Sequence, residues 1–307
     1  MQKVIARAIA EISNVVLGKE QQIKLALACV FARGHLLVED LPGMGKTTLS
    51  HALAIVMGLE YQRVQFTSDL LPADILGVSI FDQKNSEFHF HPGPIFTQVL
   101  LADEINRTTP KTQSALLEAM EEYQVTTEGQ TRPLPRPFFV IATQNPLTQS
   151  GTFPLPESQL DRFLMRIELG HPDTSAERLL LQGEEVPRKR LKNLKQVVTV
   201  GELEEIQDAV GKIKTTDSLL DYVQRLTKFT RVEPEFSYGI SPRGALALLR
   251  CAKTWALMEG RSHVIPEDVQ AVLPSVVGHR LREASNYNES SGRGLAQRLL
   301  NSVDVVG

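Results

Sequence analysis

Cysteine and long apolar runs are both scarce in this 307-residue sequence. Its two cysteines, Cys29 and Cys251, do not have the spacing of metal ligands, so a disulfide framework is not expected and a reducing compartment is favoured. The longest unbroken apolar run, 25–32, is far shorter than the roughly 20 residues that span a bilayer. The first residues are amphipathic and lack the apolar region of an export signal. We therefore expect a cytoplasmic protein without membrane insertion.

The sequence also lacks an excess of charge of either sign. Lys and Arg number 33, Asp and Glu number 36, and the formal net charge is −3. A protein that coats DNA or RNA presents a strongly basic surface, so nucleic acid is disfavoured as a partner, although net charge does not report on local basic patches. The apolar share of 42% is that of ordinary globular proteins, and the length predicts about two domains.

The first half alternates short apolar segments with helical patterns. This alternation predicts a mostly parallel sheet with helices on both faces. Two further stretches, 81–96 and 123–137, predict β-hairpins that a plain α/β core does not need, and long inserted loops are often functional. The predicted strands are 36–38, 61–66, 99–102, 138–142 and 164–169, and the predicted helices include 47–57 and one that begins at Thr109 and Pro110.

The pattern changes after residue 171, where helical periodicity replaces the alternation. We expect an α/β core over 1–171 and an all-helical domain over 172–307. Ser241 has the features of a helix N-cap, with Pro242 at the first helical position. The segment 186–196 is rich in Lys and Arg; a solvated connector is favoured over a binding patch. The predicted helices of this half are 175–185, 202–213, 219–229, 241–258 and 266–277.

A glycine-rich segment, 42–47, lies between a predicted strand and a predicted helix, as a phosphate-binding loop requires. Glycines allow backbone N–H groups to curl around phosphates, and the following helix N-terminus attracts anions. Lys46 is expected to reach the β- and γ-phosphates, and the Thr47 hydroxyl to bind Mg²⁺. Asp40 departs from the strict pattern, which has glycine there. The residues predicted to contact ATP in this segment are Pro42, Gly43, Met44, Gly45, Lys46, Thr47 and Thr48.

Polar side chains follow two other predicted strands at their carboxyl ends. Strand 99–102 is followed by Asp103 and Glu104, and strand ends of this kind face the ligand crevice of an open α/β sheet. Asp103 is a candidate for holding Mg²⁺ and Glu104 for activating a water as general base. Asn145 follows strand 138–142 and is placed to orient that water or contact the γ-phosphate. The alternative is that the carboxylates merely cap a strand and that Asn145 marks a turn.

Taken together, these segments resemble the MoxR family of AAA+ ATPases. The similarity extends from about residue 16 to about residue 281. It implies a P-loop core with a five-stranded parallel sheet in the order 5-1-4-3-2, followed by a helical lid, with the two hairpins as the family's helix-2 and pre-sensor-1 inserts. The segments that match the family's motifs are 103–107, 110–122, 142–146 and 159–163.

The resemblance also implies roles for polar residues outside the phosphate loop. Asn145 matches sensor 1, Arg243 matches sensor 2, which touches the γ-phosphate from the lid, and Arg162 matches the arginine finger given to a neighbouring subunit. The alternative for Arg162 is a surface pair with Asp161 or Glu157, which would contribute little. Arg243 at a helix start is electrostatically unfavourable unless an anion lies nearby.

Two further arginines are left with open roles. Arg107 is interpreted as a subunit-interface residue or a nucleotide sensor, and the choice between them stays open. Arg166 is a weaker candidate for the arginine finger than Arg162, because its alternation within the fifth strand indicates a position on a face of the sheet.

Function follows from the same resemblance. It implies ATP hydrolysis with Mg²⁺ by a homo-oligomeric ring, expected to be a hexamer, that remodels or activates a client protein. Metal- or cofactor-containing enzymes and von Willebrand A-domain proteins are the clients associated with the family. A nucleic-acid remodelling AAA+ ATPase and the motor subunit of a metal chelatase are the alternatives.

Overall fold

The computed structural model describes residues 1–41, 43–145, 152–181, 186–284 and 292–306. Within these ranges, no helix combines the length and apolar character that crossing a membrane requires. In chain order, the first half contains α1 (Gln2–Ser13), α2 (Glu20–Phe31), β1 (His35–Glu39), α3 (Lys46–Val56), β2 (Tyr61–Gln65), α4 (Pro72–Leu76), β3 (Gly77–Asp82), β4 (Glu87–Pro92), β5 (Val99–Asp103), α5 (Pro110–Glu122), β6 (Gln124–Thr127), β7 (Gln130–Pro133), β8 (Phe139–Gln144), α6 (Glu157–Leu160) and β9 (Phe163–Ile167).

Five of these strands form one parallel sheet in the order β2-β5-β8-β1-β9. When only these five are numbered, the order from the other edge is 5-1-4-3-2, so the fold prediction is confirmed. In register, Val38 of β1 is paired with Thr143 of β8, and Gln65 of β2 with Asp103 of β5. The carboxyl ends of β1, β2, β5 and β8 therefore meet at one edge of the sheet.

Alternating side chains of the sheet fill two hydrophobic clusters, one on each face. One face contributes Leu36, Val38 and Leu101 to the larger cluster, and the other contributes Leu37 and Leu100 to the smaller one. The larger cluster continues into buried residues of the C-terminal half, so the two halves share one core. The division of the chain at residue 171 stays a prediction.

The two predicted hairpins are present. The first pairs β3 with β4 and begins at Gly77, earlier than predicted, while the second pairs β6 with β7 inside the predicted range. The hairpins touch each other, because the Arg132 guanidinium lies 3.8 Å from the centre of the Phe90 ring. This cation–π contact joins the base of the first hairpin to the second.

The C-terminal half is mainly helical, with two corrections to the sequence-based interpretation. The segment 186–196, expected to be a solvated connector, is mostly a helix that packs against α3, with Leu191 and Leu194 against the core and several of its polar residues exposed. The half is not all-helical, because a short strand in its middle pairs with a second short strand about 45 residues later. Its elements are α7 (Thr174–Leu181), α8 (Val186–Asn193), α9 (Val200–Gly211), α10 (Asp217–Val232), β10 (Phe236–Tyr238), α11 (Pro242–Met258), α12 (Pro266–Val277), β11 (Arg282–Glu283) and α13 (Gly292–Ser302).

Two further details of this half bear on the predictions. Ser241 caps α11 as expected, since its side chain accepts a hydrogen bond from the Gly244 N–H. The helix predicted over 175–185 is described from Thr174 to Leu181, and its last predicted residues, 182–185, lie outside the described ranges.

Candidate functional site

The glycine-rich segment forms the connection between β1 and α3. Gly43 and Gly45 have φ values of 86° and 89°, a left-handed conformation that favours glycine. Gly45 is the N-cap of α3 and has no side chain with which to cap the helix, so among the described residues no capping group covers the N–H groups of its first turn. Those N–H groups belong to Lys46, Thr47 and Thr48, and an anion fits there. Pro42 lies outside the described residues.

Two sets of contacts hold this loop in place. Met44 packs against the larger hydrophobic cluster. The Asp40 carboxylate accepts hydrogen bonds from the backbone N–H groups of Leu41 and Gly170. The carboxylate at position 40, where the strict pattern has glycine, thus joins the loop to the segment that follows β9.

Lys46 is buried in the loop, with 8% of its surface exposed. Its Nζ donates to the backbone carbonyls of Asp40 and Leu41 and lies 3.4 Å from Oδ1 of Asn145. Burial lowers the pKa of Lys46, and the negative charges of Asp40 and Asp103, among others, oppose that shift. The ammonium group is therefore held where phosphates bound to the loop would meet it.

Both oxygens of the Asp103 carboxylate are used as hydrogen-bond acceptors. Oδ1 accepts a hydrogen bond of 2.6 Å from the Thr143 hydroxyl. Oδ2 accepts hydrogen bonds from Arg63, of 2.7 Å from Nη2 and 3.2 Å from Nε. The Thr143 hydroxyl oxygen in turn accepts the backbone N–H of Glu104 at 2.8 Å. Thr143 thereby fixes the two acidic residues relative to each other.

Glu104 is held by three side-chain donors. Its Oε1 accepts from Nδ2 of Asn145 at 3.0 Å, and its Oε2 accepts from Nε2 of Gln65 at 2.8 Å and from Nη1 of Arg107 at 3.0 Å. The backbone of Glu104 is left-handed, with φ 57°, a conformation that costs free energy in a non-glycine residue and that is often found at functional sites. The fold thus maintains a strained residue at the end of β5.

Lys46, Asp103, Glu104 and Asn145 therefore come together as the sequence predicts. Asn145 links the lysine to the glutamate, since its amide contacts both Lys46 and Glu104. Arg166 pairs with Glu39 at the end of β1, at 3.2 Å. These contacts build one polar network at the carboxyl edge of the sheet, around the first turn of α3.

Arg162 lies at the opposite edge of the sheet. It directly precedes Phe163, which is paired with His35, the first residue of β1, and a five-residue strand spans about 16 Å. Its Nη1 donates to the Leu117 carbonyl at 2.6 Å, and its Nη2 lies 3.1 Å from Glu121. In the part of the chain that the structure describes, Arg162 does not form the surface pair with Asp161 or Glu157 that the sequence allows, and its carboxylate partner is Glu121.

Arg243 does not lie beside the phosphate loop of its own chain. Its Nη2 lies 3.1 Å from Oε1 of Glu121, the same carboxylate that holds Arg162. The expected contact from lid to phosphate within one chain is therefore not what the structure shows. Arg162 and Arg243 therefore lie side by side at the amino edge of the sheet, bridged by the Glu121 carboxylate.

A cleft of about 690 Å³ adjoins this arginine pair. Basic side chains outnumber acidic ones along it, and α11 supplies several of them. Its charged lining consists of Arg33, Arg162, Arg243, Arg250, Lys253 and Arg280, with Glu121 and Asp161. The cleft is distinct from the phosphate-loop network, which lies at the other edge of the sheet.

Sequence reasoning missed Arg63, Gln65 and Thr143. Arg63 and Gln65 are two residues apart on β2, so they share one face of a strand whose neighbour ends in Asp103. That spacing was a usable signal, but it becomes informative only once β2 is known to lie beside β5. Thr143 lies near the end of β8, two residues before Asn145, and its role can likewise be recognised only once β8 is known to lie beside β5.

Comparisons with known proteins agree with the fold. Residues 35–165 match the family model described as "ATPase family associated with various cellular activities (AAA)", and residues 228–298 match the AAA lid domain. The fold and the phosphate-loop network thus define an ATPase of the AAA class.

Particular relatives narrow the class. The chain is 42% identical to the uncharacterized protein YeaC of Bacillus subtilis, over 98% of this chain and 94% of the relative. It is 40% identical to Chaperone MoxR1 of Mycobacterium tuberculosis, over 90% of this chain and 75% of the relative. A crystal structure from Cytophaga hutchinsonii, of a candidate ATPase, matches with a TM-score of 0.88 and 37% identity, over 99% of this chain and 95% of that one. The chain belongs to the MoxR family of AAA+ ATPases.

Proposed function

We propose that this chain hydrolyses ATP with Mg²⁺ and uses the reaction to remodel or activate a client protein. The observation that carries the proposal is the network in which Asn145 contacts both Lys46 and Glu104, at 3.4 and 3.0 Å. In it the phosphate-binding cation and the general base are held by one amide. A base must be positioned before it can accept a proton from an attacking water.

The residues at the N-terminus of α3 fit the phosphates of a nucleoside triphosphate. Gly43 and Gly45 leave open space where a side chain would stand, since a Cβ at either position would meet no atom within 4 Å. The N–H groups of Lys46, Thr47 and Thr48 and the ammonium of Lys46 then contact the phosphates. The available metal donors, the Thr47 hydroxyl and the Asp103 carboxylate, are the hard oxygen ligands that Mg²⁺ prefers. Bound magnesium would supply charge neutralisation at the phosphates.

In the reaction, Glu104 accepts the proton of the attacking water while Asn145 keeps the carboxylate in place. Lys46 stabilises the negative charge that develops on the transferred phosphate. Thr143 supports this step indirectly, since its hydroxyl binds both Asp103 and the backbone of Glu104. The strained backbone of Glu104 sets the direction of its side chain.

Arg162 and Arg243 are proposed to act on the ATP of a neighbouring subunit in a homo-oligomeric ring. Support comes from their position at the amino edge of the sheet, about 16 Å along β1 from the phosphate loop, and from their shared partner Glu121. A guanidinium supplied across an interface stabilises transition-state charge. ATP then sits at the boundary between two chains rather than between the core and lid of one chain. A hexamer is the proposed ring.

The client is proposed to be a protein, with a metal- or cofactor-containing enzyme or a von Willebrand A-domain protein as the preferred class. One supporting observation is the name of the relative Chaperone MoxR1. A second is the apolar surface of the first hairpin, where Phe88 is 72% exposed and Ile80 and Phe81 are also exposed. Exposed apolar surface of this kind favours contact with another protein. The cytoplasm remains the proposed location.

Nucleic acid is not favoured as the client. In the first hairpin Lys84 is accompanied by Asp82 and Glu87, and in the second Arg132 is engaged with Phe90. Neither described hairpin therefore presents the basic surface that phosphate backbones require.

The direct test is phosphate release from ATP by the full chain with Mg²⁺. We expect steady turnover by the wild type and its loss in Glu104→Gln, because the amide fills the same space and cannot accept a proton. Binding of ATP by Glu104→Gln, measured by calorimetry, should persist. Turnover by Glu104→Gln near the wild-type rate would assign the base to another residue.

A further inference from the structure

Arg63, on the edge strand β2, binds one carboxylate oxygen of Asp103, Oδ2. Its Nη2 and Nε both donate to Oδ2, at 2.7 and 3.2 Å, while Oδ1 is taken by Thr143. The Asp103 side chain is 10% exposed and that of Arg63 is 48% exposed. A nearly buried carboxylate is thus paired with a cation that reaches it from the edge strand β2. A charge-assisted, two-point contact of this kind is among the stronger hydrogen bonds in proteins.

Oδ2 is the Asp103 oxygen that a magnesium ion would reach more readily, because Oδ1 is bonded to the fully buried Thr143 hydroxyl while Oδ2 is bonded to a half-exposed arginine. A divalent cation at the phosphate loop binds the Asp103 carboxylate directly or through a water of its octahedral shell. Arg63 has five N–H donors and no acceptor, so it cannot serve as a metal ligand. Its positive charge also opposes a second cation at the same carboxylate. The two cations therefore compete for Oδ2.

We propose that Arg63 is a positioning residue that holds Asp103 against magnesium and gives up Oδ2 when magnesium and nucleotide bind. The inference rests on the proposed ATPase function. Without magnesium, Arg63 keeps the nearly buried charge of Asp103 paired, because an unpaired carboxylate in that place would be destabilising. It thereby sets how much magnesium the site needs.

A second contact links this exchange to the general base. The Nη2 of Arg63 also donates to Oε1 of Gln65 at 3.1 Å, and Nε2 of Gln65 donates to Oε2 of Glu104 at 2.8 Å. When Arg63 moves away from Asp103, the Gln65 amide that holds Glu104 therefore loses its hydrogen bond from Arg63. The metal ligand and the base are coupled through one arginine and one glutamine.

The test is calorimetric binding of the non-hydrolysed analogue AMP-PNP to the full chain over a series of MgCl₂ concentrations. Arg63→Met keeps the apolar stem and removes the competing charge. We expect it to lower the magnesium concentration for half-maximal tightening by about 10-fold, the lower end of what a charge-assisted hydrogen bond contributes. Affinity for AMP-PNP in EDTA should not increase, because without magnesium there is no competition to relieve and the unpaired Asp103 carboxylate repels the phosphates.

Three comparisons make the result specific. Arg298→Met is the matched control, since Arg298 is 46% exposed and paired with carboxylates in the C-terminal half, and it should not change the magnesium requirement. Arg63→Met should have no effect in an Asp103→Asn background. Arg63→Lys keeps the charge and loses the two-point contact, so it should give a smaller shift in the same direction and carries the test if Arg63→Met does not fold.

An unchanged magnesium requirement in both Arg63 variants would overturn the inference. So would an equal shift in the Asp103→Asn background, because the effect would then not pass through that carboxylate. A wild-type chain that binds no AMP-PNP at any magnesium concentration would instead contradict the proposed ATPase function. The two failures are therefore separable in one series of titrations.

Discussion

Lys46 is the residue on which nucleotide binding depends most directly. Its buried ammonium is the cation at the phosphate loop, and among the described residues its side-chain contacts are with uncharged groups: two carbonyls and the amide of Asn145. Lys46→Ala is expected to lose ATP binding, since the compact point charge is removed from the loop. Calorimetry with ATP measures this. The glycines and the N–H groups of α3 are untouched, so ATP affinity equal to that of the wild type would show that the loop binds phosphate without the lysine.

His35 is a single residue whose titration contributes to stability. Val140 N–H donates to its Nδ1 at 3.0 Å, its Nε2 lies 3.2 Å from the Met120 carbonyl, and burial lowers its pKa to about 4. The unfolded chain therefore takes up this proton first as the pH falls. The stability contribution is complete above the ordinary pKa of about 6.5 and is lost as the pH falls toward 4, amounting to about 2 kcal/mol between pH 7.5 and 5.

Denaturant unfolding at a series of pH values measures that effect. His35→Gln should flatten the fall in unfolding free energy between pH 7.5 and 5. His279 is also buried with a lowered pKa, so part of the pH dependence should remain in His35→Gln. An identical pH dependence in the wild type and His35→Gln would contradict the assignment.

At the scale of elements, the N-terminus of α11 joins helix stability to the position of Arg243. The Ser241 side chain accepts the Gly244 N–H at 3.0 Å, and Arg243 lies between these two residues. Ser241→Ala is expected to lower the free energy of unfolding by about 1 kcal/mol, the usual cost of losing an N-cap. Ser241→Thr keeps a hydroxyl acceptor and should recover most of that loss. Equal unfolding free energies for wild type and Ser241→Ala would show that the cap does not contribute.

Element by element, local motifs explain what the sequence could predict. The strands, the phosphate loop and both hairpins are marked by short-range patterns, and so is the cap at Ser241. The helix α8 was missed because its polar composition masks its single leucine, Leu191, which becomes informative only when it packs on the core. The pairing of β10 with β11 joins segments far apart in sequence. Arg63 acts on Asp103 only because β2 and β5 are neighbours, and strand order is not local information.

At the scale of the whole molecule, the structure separates the two halves of the proposed reaction. The phosphate loop, Glu104 and Asn145 lie at the carboxyl edge of the sheet, while Arg162 and Arg243 lie at the amino edge on Glu121. One chain cannot bring both edges to one ATP if the sheet stays intact, because the strand between them is about 16 Å long. The proposed complete site therefore draws residues from two chains. Assembly is expected to depend on nucleotide, and sedimentation with ATP and Mg²⁺ measures it.

The most direct test of this account mixes two inactive variants. Arg162→Ala should bind ATP and hydrolyse it poorly, since an arginine supplied in trans contributes about 10³- to 10⁵-fold in rate in related enzymes. Lys46→Ala should fail to bind ATP but still present an intact Arg162. The account predicts that mixing the two restores phosphate release, with a dependence on mixing ratio, because an intact loop then meets an intact arginine. A mixture that co-assembles and stays as inactive as its components would contradict a site shared between subunits.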